Sequence, residues 1–249
     1  MADIRLIALD MDGTLLDDEK HISDFTRSQI KKAHDRGVHI ILSTGRPLST
    51  CSNYVRELDL NTYLITCNGG QIYSENQTVI SQNLLDKEKL AYMYHLAKGL
   101  GMNSWVVSTE EPYYNYLPEN YKQLEWLKFS CHSKDKNILD KMVEKLSYVE
   151  GVEISNASPI NVEVNPVGIN KAMGLEFVCN QLGLTMENVM AIGDSLNDIK
   201  MIQEAGIGIA MDNAQEAVQK VADYMTDTNN NDGVGKAIEK FIFSVDRES

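Results

Sequence analysis

The sequence predicts an α/β protein, a parallel-sheet core interrupted by an inserted α+β module, and three observations carry that expectation. Short aliphatic runs alternate with helical patterns near both ends of the chain. Several of those runs stop on turns that carry acidic, hydroxyl or amide side chains. Between residues 83 and 167 the rhythm changes to strands joined as hairpins with helices between them, and from 168 the first rhythm resumes. The expected division is a core of residues 1–82 and 168–249 around a module of 83–167.

The first strand is expected over residues 4–9, an aliphatic run closed by Asp10-Met11-Asp12-Gly13-Thr14. Such a run reads as a strand buried on both faces, delivering its carboxylates at the C-terminal end. If the extended geometry persists through Met11, Asp10 and Asp12 face one ligand, because side chains two apart on a strand point the same way. Residues 15–22 are polar and acidic around two leucines and read as a mobile hairpin or flap over the strand ends. Ser23 is placed to cap a helix with Phe25, Ile30 and Ala33 at helical spacing, which stops at Gly37, where a left-handed residue ends a helix.

A second strand over 38–43 runs into Thr44-Gly45-Arg46-Pro47, with Pro47 at the first position of a helix over 48–58. A third strand over 63–67 ends at Asn68-Gly69-Gly70, and 71–80 reads as a small hairpin. Strand, helix, strand, helix, strand implies right-handed crossovers and a Rossmann-like sheet, whose ligands sit at the carboxyl ends of the strands.

In the inserted module, residues 86–100 form a helix with an apolar stripe of Leu90, Met93, Tyr94 and Ala97. Strands follow over 104–108, 113–117 and 128–132, then a helix over 136–146 and a hairpin pairing 152–154 with 161–164. Strand packing accounts for most of the aromatics Trp105, Tyr113, Tyr114, Tyr116 and Trp126. Tyr114 and Tyr116 share a strand face, and one of them is a candidate to stack on a planar part of a substrate. The core resumes with a helix over 171–182 ending at Gly183 and a strand over 189–192 ending at Gly193-Asp194. A helix over 196–203, a strand over 206–211, a helix over 215–221, a short strand over 224–226 and a helix over 233–243 complete it.

A net charge of −13 argues against nucleic-acid and anionic-membrane partners, which need clustered Lys and Arg. No apolar run approaches a membrane span and the N-terminus lacks the features of a signal peptide. Cys51, Cys67, Cys131 and Cys179 form no Cys-x-x-Cys pair and read as reduced structural thiols. A cytoplasmic protein is expected, and nothing in the sequence sets its oligomeric state. Gly206-Ile207-Gly208 lacks the third glycine of a dinucleotide fingerprint, and Gly233-Val234-Gly235-Lys236 lacks the spacing and hydroxyl of a P-loop.

Two carboxylates converging in a partly dry cleft repel each other unless a positive group neutralises them, and a hard divalent cation is the natural remedy. In isolation Asp12-Gly13 is equally a common turn dipeptide, and a single Lys such as Lys171 is usually a solvated charge. Four signals decide between these readings, each at a strand end or helix start: Asp10-x-Asp12-Gly13-Thr14, Ser43-Thr44-Gly45-Arg46, Lys171, and Gly193-Asp194-Ser195-Leu196-Asn197-Asp198. In that order and around an insertion they resemble the haloacid dehalogenase-like hydrolases, in particular the Cof-type phosphatases with a class IIB cap, over essentially the whole chain.

The resemblance implies a Mg2+-dependent phosphatase acting through an aspartyl-phosphate, with Asp10 as nucleophile and Asp12 as the acid and base for the leaving oxygen and the attacking water. It implies a metal site of Asp10, the Asp12 backbone carbonyl and Asp194, supported by Asp198. Lys171, the Thr44 hydroxyl, the Gly45 and Met11 amides and Asn197 would hold the phosphate. Arg46 would reach a second part of the substrate, and Asn68 would lie near it. The substrate implied is a small phosphorylated metabolite, with the inserted module closing over it. Within the family, length and pattern look most like bacterial phosphatases acting on 5-amino-6-(5-phospho-D-ribitylamino)uracil in riboflavin biosynthesis, while relatives take sugar phosphates and pyridoxal phosphate. A phosphomutase and a non-catalytic phosphometabolite sensor are the alternatives. Met211-Asp212-Asn213-Ala214 departs from the family's usual Gly at its second position.

Overall fold

A computed structural model describes residues 3–243. Strands and helices are numbered in chain order. The larger sheet holds β1 (Leu6–Leu9), β2 (His39–Ser43), β3 (Leu64–Thr66), β4 (Gln71–Tyr73), β5 (Val79–Gln82), β11 (Val189–Gly193), β12 (Ile207–Ala210) and β13 (Tyr224–Met225). Their order is β13-β12-β11-β1-β2-β3-β4-β5. Pairing is parallel from β13 to β3, and β4 and β5 close the edge as an antiparallel hairpin.

Side-chain alternation on the central strands makes two cores. Leu6, Ala8, Ile41 and Ile65 pack on Leu175 and Val178 of α5 (Lys171–Leu182) and on Met201 and Ile202 of α6 (Ile199–Glu204). On the opposite face, Ile7, Leu9, Ile40 and Leu42 meet three helices. These are α1 (Asp24–Asp35) through Ile30 and Ala33, α2 (Leu48–Glu57) through Cys51 and Val55, and α8 (Gly233–Ile238) through Val234 and Ile238. A short α7 (Glu216–Gln219) precedes β13. With helices covering both faces, the carboxyl ends of β1, β2 and β11 are where side chains reach a cleft.

The second sheet is antiparallel, in the order β7-β6-β8-β10-β9, from β6 (Asn103–Ser108), β7 (Pro112–Tyr114), β8 (Trp126–His132), β9 (Val152–Ser155) and β10 (Asn161–Pro166). One face is covered by α3 (Lys87–Gly99) and α4 (Lys136–Leu146), whose Leu90, Met93, Ala97, Leu139 and Met142 pack on Val106, Phe129, Val162 and Val164. The other face contributes Trp105, Lys128, Ser130 and Glu163 to a cavity shared with the carboxyl ends of the parallel strands.

Four local expectations are corrected. Residues 15–22 are only in part a surface flap: Leu15, Leu16 and Ile22 are buried in the core, while the Asp17–His21 turn stands out and brings Asp18 and Lys20 to the cavity. Pro47 is the N-cap of α2 rather than its first residue. β7 stops at Tyr114 instead of running to 117, because Asn115 turns left-handed at φ 53° and its side-chain oxygen accepts the Ser104 amide at 2.7 Å. The closing helix is α-helical only to Ile238, and Glu239–Phe243 continues as a π-turn. Among the described residues, no helix is long and apolar enough to cross a membrane.

Candidate active site

β1 ends by placing Asp10, 5% exposed, at the mouth of the sheet. The chain then turns: the Met11 carbonyl accepts the Thr14 and Leu16 amides, and Gly13 takes φ +83°, a conformation that favours glycine. A Cβ on Gly13 would also stand 2.7 Å from Asp194 Oδ2, so this turn is shaped to let β11's aspartate approach. The turn begins directly after Asp10, so Asp12 stands within it rather than on the strand. Both line the cavity, but their carboxylates have different partners.

Asp10 accepts from Lys171 Nζ at 2.5 Å, and the same ammonium donates to Asp198 Oδ1 at 2.6 Å. Lys171 and Asp198 are fully buried. Lys171 opens α5 directly after its N-cap Asn170, which accepts the Met173 amide at 3.1 Å and so fixes where the helix begins. Asp198 Oδ2 accepts the backbone amides of Asp194 and Ser195 at 3.0 and 2.9 Å, bracing the loop after β11. Asp194 accepts hydroxyl donors from Thr14 at 3.1 Å and Ser195 at 2.9 Å.

Asp10, Asp194 and Asp198 each offer an oxygen within 4.8 Å of the others. Burial pushes the Asp10 carboxyl well up, opposed by Lys171 and reinforced by Asp198 and Asp194. Burial, and then the Asp198 charge, raise Asp194 to about 6. Attraction from Asp10 and Asp198 outweighs the burial of Lys171 and raises its pKa, so it stays an ammonium. Three carboxylates against one ammonium leave an uncompensated negative charge, and an all-oxygen donor set suits a hard divalent cation. Asp198 has both oxygens engaged, by Lys171 and by two backbone amides, whereas the Asp194 oxygens each accept a hydroxyl and Asp10 Oδ1 accepts Lys171.

The Asp12 carboxylate is not in this cluster. Arg46 grips it through Nε at 2.6 Å and Nη2 at 2.7 Å, and Lys20 Nζ adds a third contact at 2.8 Å. Arg46 also donates to the Thr50 carbonyl at 3.1 Å and lies over the Tyr54 ring. Its guanidinium is therefore engaged with Asp12, where the sequence suggested a reach toward substrate. The Thr44 hydroxyl oxygen accepts the Arg46 amide at 3.1 Å, shaping the turn that holds Gly45.

Asn68, left-handed at φ 58°, donates to Glu163 Oε2 at 2.7 Å and accepts from Asn197 Nδ2 at 3.2 Å. The Asn197 donor is thus turned toward Asn68 and Glu163, and its buried Oδ1 has no partner among the described residues. Lys128 pairs with Glu163 and donates to the Gly45 carbonyl at 2.8 Å. The cavity, about 830 Å³, is lined by Asp10, Asp12, Thr44, Gly45, Arg46, Asp194 and Asn197 from one side and by Trp105, Lys128, Ser130 and Glu163 from the other.

Tyr114 and Tyr116, the expected stacking aromatics, do not line this cavity. Tyr114 sits on the sheet's outer strand, 58% exposed, against His132, and Trp105 is the aromatic that does line the cavity. Sequence reasoning also passed over Lys20, Lys128, Glu163 and Asn213, whose amide donates to the Gly13 carbonyl at 2.8 Å. A signal existed for two of them: Lys128 and Glu163 are charges set between apolar neighbours in strands, Leu127 and Phe129, Val162 and Val164.

Known proteins resemble this chain along nearly its whole length. A family profile described as haloacid dehalogenase-like hydrolase matches residues 7–128 and 112–238. The chain is 48% identical over 240 residues to the 5-amino-6-(5-phospho-D-ribitylamino)uracil phosphatase YcsE of Bacillus subtilis, covering 96% of each. It is 30% identical over 251 residues to a phosphoglycolate phosphatase of Methanobrevibacter smithii, covering 96% of this chain and 99% of that one. A solved haloacid dehalogenase-like hydrolase from Bacteroides thetaiotaomicron superposes with a TM-score of 0.80 at 30% identity, over 96% of this chain and 100% of the other. With matches running nearly end to end across both sheets, the chain belongs to the haloacid dehalogenase-like hydrolases.

Proposed function

We propose that this phosphatase hydrolyses the phosphomonoester of 5-amino-6-(5-phospho-D-ribitylamino)uracil through an aspartyl-phosphate on Asp10. The observation that carries the reading is the Lys171 ammonium 2.5 Å from Asp10, within an acidic cluster that opens on the shared cavity. An ammonium so placed opposes the upward push of burial on the Asp10 carboxyl and fixes its direction, and a cation bound beside it would complete the ionisation that attack on phosphorus requires. The substrate is taken from the 48% identical relative, and its planar ring and polyol chain suit a cavity with an indole at one side and polar groups beside the phosphate loop.

In this reading Asp10 displaces the ribityl alcohol from phosphorus; Asp12, ionised while Arg46 and Lys20 hold it, takes up a proton once Arg46 lets go, gives it to the leaving oxygen and then takes one from the attacking water. The Thr44 hydroxyl, the Gly45 and Met11 amides, Lys171 and Asn197 hold the phosphoryl oxygens. A preorganised donor of this kind contributes roughly 3 kcal/mol to the transition state. Asn197 has two amide hydrogens, one directed at Asn68 Oδ1 at 3.2 Å and the other only 3.5 Å from Glu163, so the second can be given to a phosphoryl oxygen. Asp10, Asp194 and the Asp12 carbonyl would hold Mg2+, which when bound neutralises phosphoryl charge. Asp198 and Asn68 support the two sides of the pocket. Residues 83–167 act as the cap that selects the leaving group and excludes water. Four free, buried cysteines accord with a cytoplasmic setting.

Phosphate release from the named substrate, with and without EDTA, tests the reading. Release that stops with EDTA and in Asp10→Asn supports it, whereas turnover by Asp10→Asn refutes it. Phosphate retained on the enzyme until a bisphosphate is added would favour a mutase.

A further inference from the structure

The second sheet carries a row of side chains across three strands in register. Trp105 on β6 is paired with Ser130 on β8, and Ser130 with Glu163 on β10. Residues directly opposite in an antiparallel pair share a face, so the three point one way, and all three line the cavity. Two inter-strand spacings separate the ends of the row, roughly 10 Å. The Glu163 end abuts the phosphate turn: a Cβ on Gly45 would stand 3.2 Å from Glu163 Oε2 and 3.0 Å from Lys128 Nζ. The Trp105 end is the outer one, 37% exposed.

Lys128 and Glu163 are each 4% exposed. A buried ion pair gains little over a well-packed apolar pair, because desolvation offsets the attraction. What it adds is a charged donor and a charged acceptor side by side, which together match both halves of a hydroxyl group. Asn68 and Asn197, which donate to Glu163 Oε2 at 2.7 and 3.5 Å, fix that carboxylate beside the phosphate turn. An alcohol without hydroxyls beyond the ester offers that charged pair nothing, whereas each hydroxyl-bearing carbon of a polyol brings both a donor and an acceptor.

We propose that Glu163 with Lys128, Ser130 and Trp105 form the leaving-group subsite, which selects phosphorylated polyols bearing a flat ring at the far end. Glu163 and Lys128 read the hydroxyls next to the ester, and the indole stacks on the ring. This deepens the phosphatase reading above and rests on it.

The test compares kcat/KM of the Mg2+-loaded enzyme on 5-amino-6-(5-phospho-D-ribitylamino)uracil, D-ribitol 5-phosphate and p-nitrophenyl phosphate. Glu163→Gln, and the double variant Lys128→Met/Glu163→Gln that leaves no lone buried charge, should lower the ratio of ribitol phosphate to p-nitrophenyl phosphate by about tenfold or more. Trp105→Ala should lower the ratio of the ring-bearing substrate to ribitol phosphate by about tenfold, with Trp105→Phe recovering most of it. Ratios that stay fixed while all activities fall together would overturn the proposal, leaving the pair a structural latch and the indole a wall. Calorimetric binding of ribitol 5-phosphate to Asp10→Asn, weakened by Glu163→Gln, reads the subsite without turnover. A failure of the reaction and a failure of the subsite are thereby told apart.

Discussion

Arg46 holds Asp12 by both carboxylate oxygens, Nε to Oδ2 at 2.6 Å and Nη2 to Oδ1 at 2.7 Å. Burial pushes the Asp12 carboxyl up, but hydrogen bonds from Arg46 and Lys20 outweigh it and bring it down to about 2. In this arrangement Asp12 is ionised throughout the neutral range. It starts as a base, and giving a proton to a leaving oxygen requires Arg46 to loosen its grip.

Removing that grip has a signed consequence. Because the folded carboxyl lies below the ordinary Asp value of about 3.9, its pairing stabilises the fold fully above that pH and loses the effect as pH falls through about 2. Thermal unfolding of the wild type and Arg46→Ala should therefore differ most near neutrality, with the gap closing between about pH 4 and 2. An NMR titration should find the Asp12 carboxyl moved up toward the ordinary range in the variant. A gap that is the same at both ends of that range, or an unmoved titration, would contradict the pairing.

Asp194 carries the opposite sign. Its carboxyl is raised to about 6, so without a cation the fold loses stability as pH rises from the ordinary Asp range through about 6. A divalent cation bound by Asp10 and Asp194, as proposed above, would remove that penalty. Mg2+ at about a hundred times its dissociation constant should stabilise the protein by about 2.7 kcal/mol. The gain in Tm should be larger at about pH 7.5 than at about pH 5, and Asp194→Ala should abolish it. An equal shift in Asp194→Ala would remove Asp194 from the ligand set.

Lys171 sits between two buried carboxylates, 2.5 Å from Asp10 and 2.6 Å from Asp198. Lys171→Met leaves both without their counter-charge, and breaking a buried pair from one side costs roughly 3–5 kcal/mol. Urea titration in EDTA should show the midpoint falling by that equivalent at unchanged slope, together with loss of activity. A loss below about 1 kcal/mol would mean that the ammonium does not balance the cluster.

At Gly13, a methyl group meets both a left-handed φ of +83° and Asp194 Oδ2 at 2.7 Å. Gly13→Ala should cost about 1–2 kcal/mol from the backbone alone and, by displacing Asp194, weaken Mg2+ binding measured by calorimetry. Unchanged Mg2+ affinity would separate the turn from the metal site.

Local chemistry was legible where it set local structure. Helices α1 and α5 were read to within a residue because Ser23 caps one start and Gly183, at φ 67°, closes the other's end. Asp10, Lys171 and Asp194 were legible as strand-end or helix-start residues, and the structure brings them together. What stayed hidden depends on contacts distant in sequence. Lys128 meets Gly45 across 83 positions and Glu163 meets Asn68 across 95, and no local pattern announces that the second sheet sits over the first. Asp10 and Asp12 line one cavity as their spacing around the buried Met11 suggested, but the Arg46 and Lys20 partners of Asp12 come from a neighbouring loop and turn and were not legible.

The direct test of the central claim is a single-turnover reaction of the Mg2+-loaded enzyme with substrate, quenched in acid and digested for mass spectrometry. The expected result is a phosphoryl group on the peptide carrying Asp10, formed and lost at rates consistent with turnover and absent in Asp10→Asn. Turnover with no phosphorylated peptide at any quench time, or with the phosphoryl group on another residue, would contradict it.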